Sequence, residues 1–325
     1  MIYPLQRNRV RRAYFGGENI DRMRGDPPRR DRYPEEWIAS CAAAFNPDCP
    51  KENEGYSVLP DGTLLKDLLA KKPELLGSPK MRILLKLLDA GERLVIQAHP
   101  TRAFAQEAFH SEFGKTECWY FLNDGGAVYI GFKPGVTREK WKDCFDRQDV
   151  NGMLGMLHRV PVHRGELVFV DGGVPHAIDG GCFMVELQEP TDLMVIPERV
   201  TPSGVELADV KLHNGLGFER MFDCFEYNGY TEAELRRRYW IAPKPVDSVQ
   251  TVILDRDTTD KFRMVRFNVN GKYRYPLSGY AVAIVVDGTG TLSGVPARTG
   301  DPFFIDAQTD ALDLDGDMTV LVCME

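Results

Sequence analysis

Residues Gly165 to Pro190 read GELVFVDGGVPHAIDGGCFMVELQEP. Apolar residues before and after a Gly-Gly pair predict two short strands joined by a tight turn. The second strand opens on His176, eleven positions after Gly165, in the pattern G-x5-D-x-G-x2-H. That geometry presents an imidazole to whatever lies between the sheets, as a ligand or as a satisfied histidine in a glycine-rich hairpin.

Upstream, RLVIQAH ends on Gln97 and His99, two positions apart, and GKTECWYFL carries Lys115 and Glu117. In extended chain, residues two apart share a face, so Gln97 turns with His99, and Glu117 with Trp119 and Phe121. A Gln and a His sharing a hydrogen bond in a core would satisfy the first pair by itself. A carboxylate followed by two aromatics on one face is harder to explain, because a buried carboxylate needs a cation or a metal beside it.

Further out, short runs of period two separated by glycine or proline follow from Gly91 onward, among them AVYIGF, TVILD, MVRFNV, AVAIVVDGTG and MTVLVCM. They predict many antiparallel strands closed into barrels or sandwiches. Leucines at helical spacing between Leu64 and Ala90 predict two or three small helices, and Thr137 to Val162 and Thr231 to Pro243 also read as helical. The proline-rich APKPV, Ala242 to Val246, is the natural boundary between two strand-rich units, 1–241 and 242–325.

The 325 residues carry a formal net charge of −8, which argues against a nucleic-acid partner. The basic runs RNRVRR and PPRRDR then read as solvated edges or a local anion site. Seven cysteines, an odd number without a C-x-x-C pair, speak against a disulfide framework and for a reducing compartment. MIYPLQRNRVRR has no apolar signal segment and no run is long enough to span a bilayer, so a cytoplasmic protein without membrane contact is expected.

The Gly165–His176 motif resembles the second signature of the cupin superfamily, with Asp171 where proline is usual. The match goes further: IQAHP, GKTECWY and GVPHAI with VELQEPTD resemble the class I mannose-6-phosphate isomerases of the bacterial branch. AYFGGENI, YPEEWIAS, GTLLKDLLAKKPELLG, TPSGVELAD and HNGLGFERMFDCFEY extend the likeness to about Tyr227. The resemblance implies a mostly β fold of two cupin-type jelly-roll barrels with additional short helices. The first barrel would hold one Zn2+ on Gln97, His99, Glu117 and His176. The second would be a copy without metal ligands, with Ala311 where the first has His176.

It further implies a small sugar-phosphate substrate and interconversion of mannose 6-phosphate and fructose 6-phosphate by proton transfer between C1 and C2. Lys115 and Arg199 are the expected catalytic residues, with Glu36, Trp37, Thr101 and Lys115 touching substrate. The phosphate falls to Lys115, Arg199, Arg102 or the N-terminal basic cluster, and the state is a monomer or a homodimer. Two departures stand out. The arginine that the family places four residues after the Asp of the TD pair is Ile196 here, and HPTR replaces His-Pro-Asp, so Thr101 brings no charge. A zinc-binding relative that acts on a different sugar, or on none, is the alternative.

Overall fold

The computed structural model describes residues 1–47 and 49–325. The chain is mostly β, with 35% of residues in strands and 18% in helices. The strands form three antiparallel sheets.

The seven-stranded sheet runs in the order Trp240–Ile241, Leu167–Val170, Glu117–Phe121, Phe183–Gln188, Leu84–Asp89, Glu35–Ile38 and Arg9–Val10. Facing it is a three-stranded sheet of Leu157–Val162, Gly126–Phe132 and His176–Ile178. Alternation along each strand decides what fills the space between them. Trp119, Phe121, Val168, Val170 and Met184 come from one sheet and Val128, Ile130, Val160 and Ile178 from the other. The reverse face of the larger sheet, with Leu85, Leu87, Cys118, Tyr120 and Leu187, packs on Met264, Val282, Ile284, Phe304 and Leu321 of the C-terminal strands.

Those strands form an eight-stranded sheet built on three long members, Arg263–Pro276, Ala281–Leu292 and Ala311–Met324. The chain changes sheet between Ile241 and Lys244. One strand lies across that division: Ile2–Pro4 pairs with Pro302–Ile305, so the start of the chain joins the C-terminal sheet.

Three expectations need correction. MRILLKLLDA, read as helical, contains the strand Leu84–Asp89; it lies between two partner strands with all six residues buried, and a leucine run buried on both faces has no period to read. LHRVPV, at the end of a stretch read as helix, is the strand Leu157–Val162, after the helices Arg138–Asp146 and Val150–Gly155. RLVIQAH forms no continuous strand, because Gln97 and Ala98 bridge to different partners, His176 and Val195. The helix Glu232–Tyr239 does form, started by a capping box in which Thr231 and Glu234 exchange hydrogen bonds.

Candidate metal centre

Gln97 and His176 exchange backbone hydrogen bonds of 2.8 Å in both directions, which sets the loop carrying His99 against the strand that opens on His176. Glu117 opens its own strand opposite Val170 and Gln188. The result is one ligand atom each from His99, Glu117 and His176, all within 4.8 Å of one another and buried. Among the described residues no other group of three His, Cys, Asp or Glu side chains is so placed. Gln97 lines the cavity beside them.

The surroundings fix the imidazoles. Nδ1 of His99 donates to the Leu193 carbonyl at 3.0 Å, and Nδ1 of His176 to that of Val174 at 2.9 Å. Each Nε2 therefore presents a lone pair inward, 3.2 Å and 3.4 Å from the two oxygens of Glu117. Burial, helped by Lys115, pushes the His99 pKa down, and burial takes His176 to about 3, so both rings are neutral at neutral pH. Burial alone would raise Glu117, yet Lys115 and His99 hold it well below the usual carboxylate range. Lys115 Nζ lies 3.0 Å from Glu117 and 2.7 Å from His99 Nε2.

The buried Nε2 of His176 is left without a hydrogen bond, and Glu117 Oε2 beside it has only its ion pair with Lys115. Native cores rarely leave such atoms unsatisfied. Two neutral imidazole nitrogens, a carboxylate and a neighbouring amide are the donor set of a divalent transition metal, and the residues fit one.

In front of the cluster lies a cavity lined by Gln97, Lys115, Leu88, Leu94 and Met194. Its far wall is a chain of buried ion pairs. Arg12 grips Asp192 with two bonds of 2.9 and 3.0 Å and reaches Glu35 at 2.9 Å. Tyr14 and Trp37 also donate to Glu35, at 2.8 and 2.7 Å. Lys86 Nζ is 3.0 Å from Glu186 and 3.7 Å from Glu35. Against the effect of burial, Arg12 and Lys86 bring Glu35 down to about 2, whereas at Glu186 burial wins over Lys86 and the pKa is raised. Sequence reading passed over Tyr14, Glu35, Lys86, Glu186 and Asp192, and reached Arg12 only as the last residue of the basic run RNRVRR. The available signal was a charge inside an apolar run, Lys86 in LLKLLD and Glu186 in FMVELQ.

The residues expected at the substrate divide. Lys115 and Gln97 line the cavity; Glu36, Trp37, Thr101 and Arg199 do not. Glu36 projects from the opposite side of its strand to Glu35 and pairs with Arg24. Trp37 lies one layer behind, its ring 5.0 Å from Arg12 and 4.8 Å from Lys86. Thr101 caps the helix Arg102–Phe109. Arg199 stacks on Phe218 and pairs with Asp209, and Arg102 donates to Glu189. Ile196 is buried and lines the cavity with an apolar side chain.

Fold and site together define a mostly β protein with a buried His-Glu-His group opening on an ion-paired cavity. The same fold occurs in a mannose 6-phosphate isomerase from Bacillus subtilis, with a TM-score of 0.79, 20% identity and 100% and 99% of the two chains covered. A mutant phosphomannose isomerase from Salmonella typhimurium superposes with a TM-score of 0.75 and 13% identity over the whole of both chains.

By sequence, the chain is similar to proteins named for mannose-6-phosphate isomerase activity. It is 34% identical over 201 residues to the Streptococcus mutans protein of that name, and spans 59% of that relative's length. A Bacillus subtilis protein provisionally named for the same activity is 24% identical over 322 residues, 93% of this chain and 95% of its own. No family model matches the sequence.

Proposed function

We propose that the protein is a zinc-dependent aldose-ketose isomerase that interconverts mannose 6-phosphate and fructose 6-phosphate in the cytoplasm, where its seven free cysteines stay reduced. The observation that carries this reading is the cluster of His99, Glu117 and His176, with the buried Nε2 of His176 lacking a hydrogen bond, facing a cavity that also presents Lys115. Gln97, His99, Glu117 and His176 would hold the zinc, which would polarise two adjacent sugar oxygens and favour charge developing on them.

The protein's own groups do the rest. Lys115, already 3.0 Å from Glu117, is a cation at the inner end of the cavity, placed to donate to a sugar oxygen. Glu186, with its raised pKa, lines the cavity from the strand paired with that of Glu117 and is the carboxyl best suited to take and return a proton between adjacent carbons. Lys86 holds it in place at 3.0 Å, while Arg12 locks Asp192 and Glu35 so that both stay ionised. The apolar wall of Leu88, Leu94, Met194 and Leu207 excludes water from that transfer.

One observation favours a second reading, a zinc-binding relative that handles another sugar: the wall position occupied by Ile196 supplies no charge. A coupled assay of zinc-loaded protein on mannose 6-phosphate, with a chelated sample beside it, separates them. Chelator-sensitive turnover establishes the isomerase; no turnover with zinc bound selects the second reading.

A further inference from the structure

A second cleft lies on the far side of the strand that carries Glu117. It runs along the seam between the seven-stranded and eight-stranded sheets, lined by Arg22, Tyr120, Arg164, Arg266, Asn268 and Asp287 among others. In a chain of net charge −8, it gathers three arginines against one carboxylate.

Arg266 is the key residue. It projects from Arg263–Pro276, partly buried, and its guanidinium meets only neutral groups: Nη1 donates to the Tyr120 hydroxyl at 3.0 Å and Nη2 to Thr251 at 3.4 Å. Its Nε is buried without an acceptor. Among the described residues no carboxylate pairs with it, and Asp287 makes no ion pair. A partly buried cation without counter-charge is uncommon, since proteins normally pair such groups. At the rim, among the described residues, Arg164 has no side-chain partner and Arg22 holds only an exposed pair with Glu18. Asn268 accepts from Thr319 through its oxygen, leaving its N–H donors for something else.

We propose that this seam is an anion site for the phosphate group of a small molecule, with Arg266 at its floor and Arg164 at its rim. Each Nη of Arg266 keeps a second N–H beyond its bond to Tyr120 or Thr251, and these neutral partners leave its charge uncompensated until the anion arrives. The cleft is separate from the metal cavity: Tyr120 and Glu117 point to opposite faces of one strand, and the two cavities share no lining residue. This inference does not depend on the isomerase reading.

The test is calorimetric titration of the zinc-loaded full chain with inorganic phosphate and, in a parallel arm, glycerol phosphate. Millimolar or tighter binding is expected, weakened roughly tenfold or more by Arg266→Met and by Arg164→Met, retained by Arg266→Lys, and unchanged by His176→Ala. Tighter binding of the ester than of phosphate assigns the site to a phosphorylated metabolite, and the reverse order assigns it to free phosphate. Absence of binding, unchanged binding in Arg164→Met and Arg266→Met, or loss of binding in His176→Ala overturns the proposal. Should Arg266→Met not fold, Arg164→Met on the exposed rim decides alone.

Discussion

The two faces of the molecule use the same antiparallel architecture for opposite purposes. Between the N-terminal sheets, and at their edge, lie Arg12, Glu35, Lys86, His99, Lys115, Glu117, His176, Glu186 and Asp192, all buried. The core of the C-terminal sheet is filled by Phe267, Ala283, Val285, Leu312, Leu314, Met318 and Val320. Burying charge costs free energy that burying a valine does not, and a fold accumulates such a cluster only where each ion has a partner and some of them a task. The apolar side holds the shape while the charged side is free to be a site.

Replacement of a metal ligand should break this contrast most severely. His99→Ala and His176→Ala should each lose zinc, measured by elemental analysis, and with it all measurable turnover; a variant that keeps full metal would remove that residue from the ligand set. On the other side, Phe267→Ala should cost about 3–5 kcal/mol in urea unfolding, since Phe267 is fully buried against Tyr273 and Tyr275, yet leave zinc content unchanged. If zinc fell with it, the two regions would not be separable.

The ion-paired wall gives a smaller, pH-dependent signature. Glu35 ionises at about 2 in the fold against 4.5 when free, so its contribution is complete above about 4.5 and is lost as the pH falls towards 2. Wild type should therefore exceed Glu35→Gln by about 3 kcal/mol more at pH 7 than at pH 2.5, and an equal gap at both would show that Arg12 and Lys86 do not hold the carboxylate. Glu186, raised by burial, works in the opposite direction and cancels in that difference. The smallest effect should come from Thr231→Ala, which removes an exposed helix cap at about 1 kcal/mol with turnover unchanged, checked by thermal melting and assay.

The grouping of His99, Glu117 and His176 was legible through the resemblance carried by IQAHP, GKTECWY and GVPHAI, whereas strand parity paired only Gln97 with His99, in a stretch that makes isolated bridges. The cavity wall was not. Arg12 and Asp192 are 180 positions apart and no local pattern joins them. In YPEEWIAS a register of one residue decides which glutamate faces the cavity, and Glu35 faces it rather than Glu36. Leu84–Asp89 hid its strand behind leucines on both faces, and with it the role of Lys86. The joining of Ile2–Pro4 to the C-terminal sheet is a tertiary pairing across 300 residues that neither composition nor period announces.

The central claim is that the buried His-Glu-His group is a metal centre and that catalysis runs through it. Its most direct test is to withdraw metal stepwise with a chelator, recording bound zinc and mannose 6-phosphate turnover on the same samples, and then to restore zinc. Turnover that falls in proportion to zinc and returns with it is the predicted result. Turnover that persists after the metal has gone would contradict the claim.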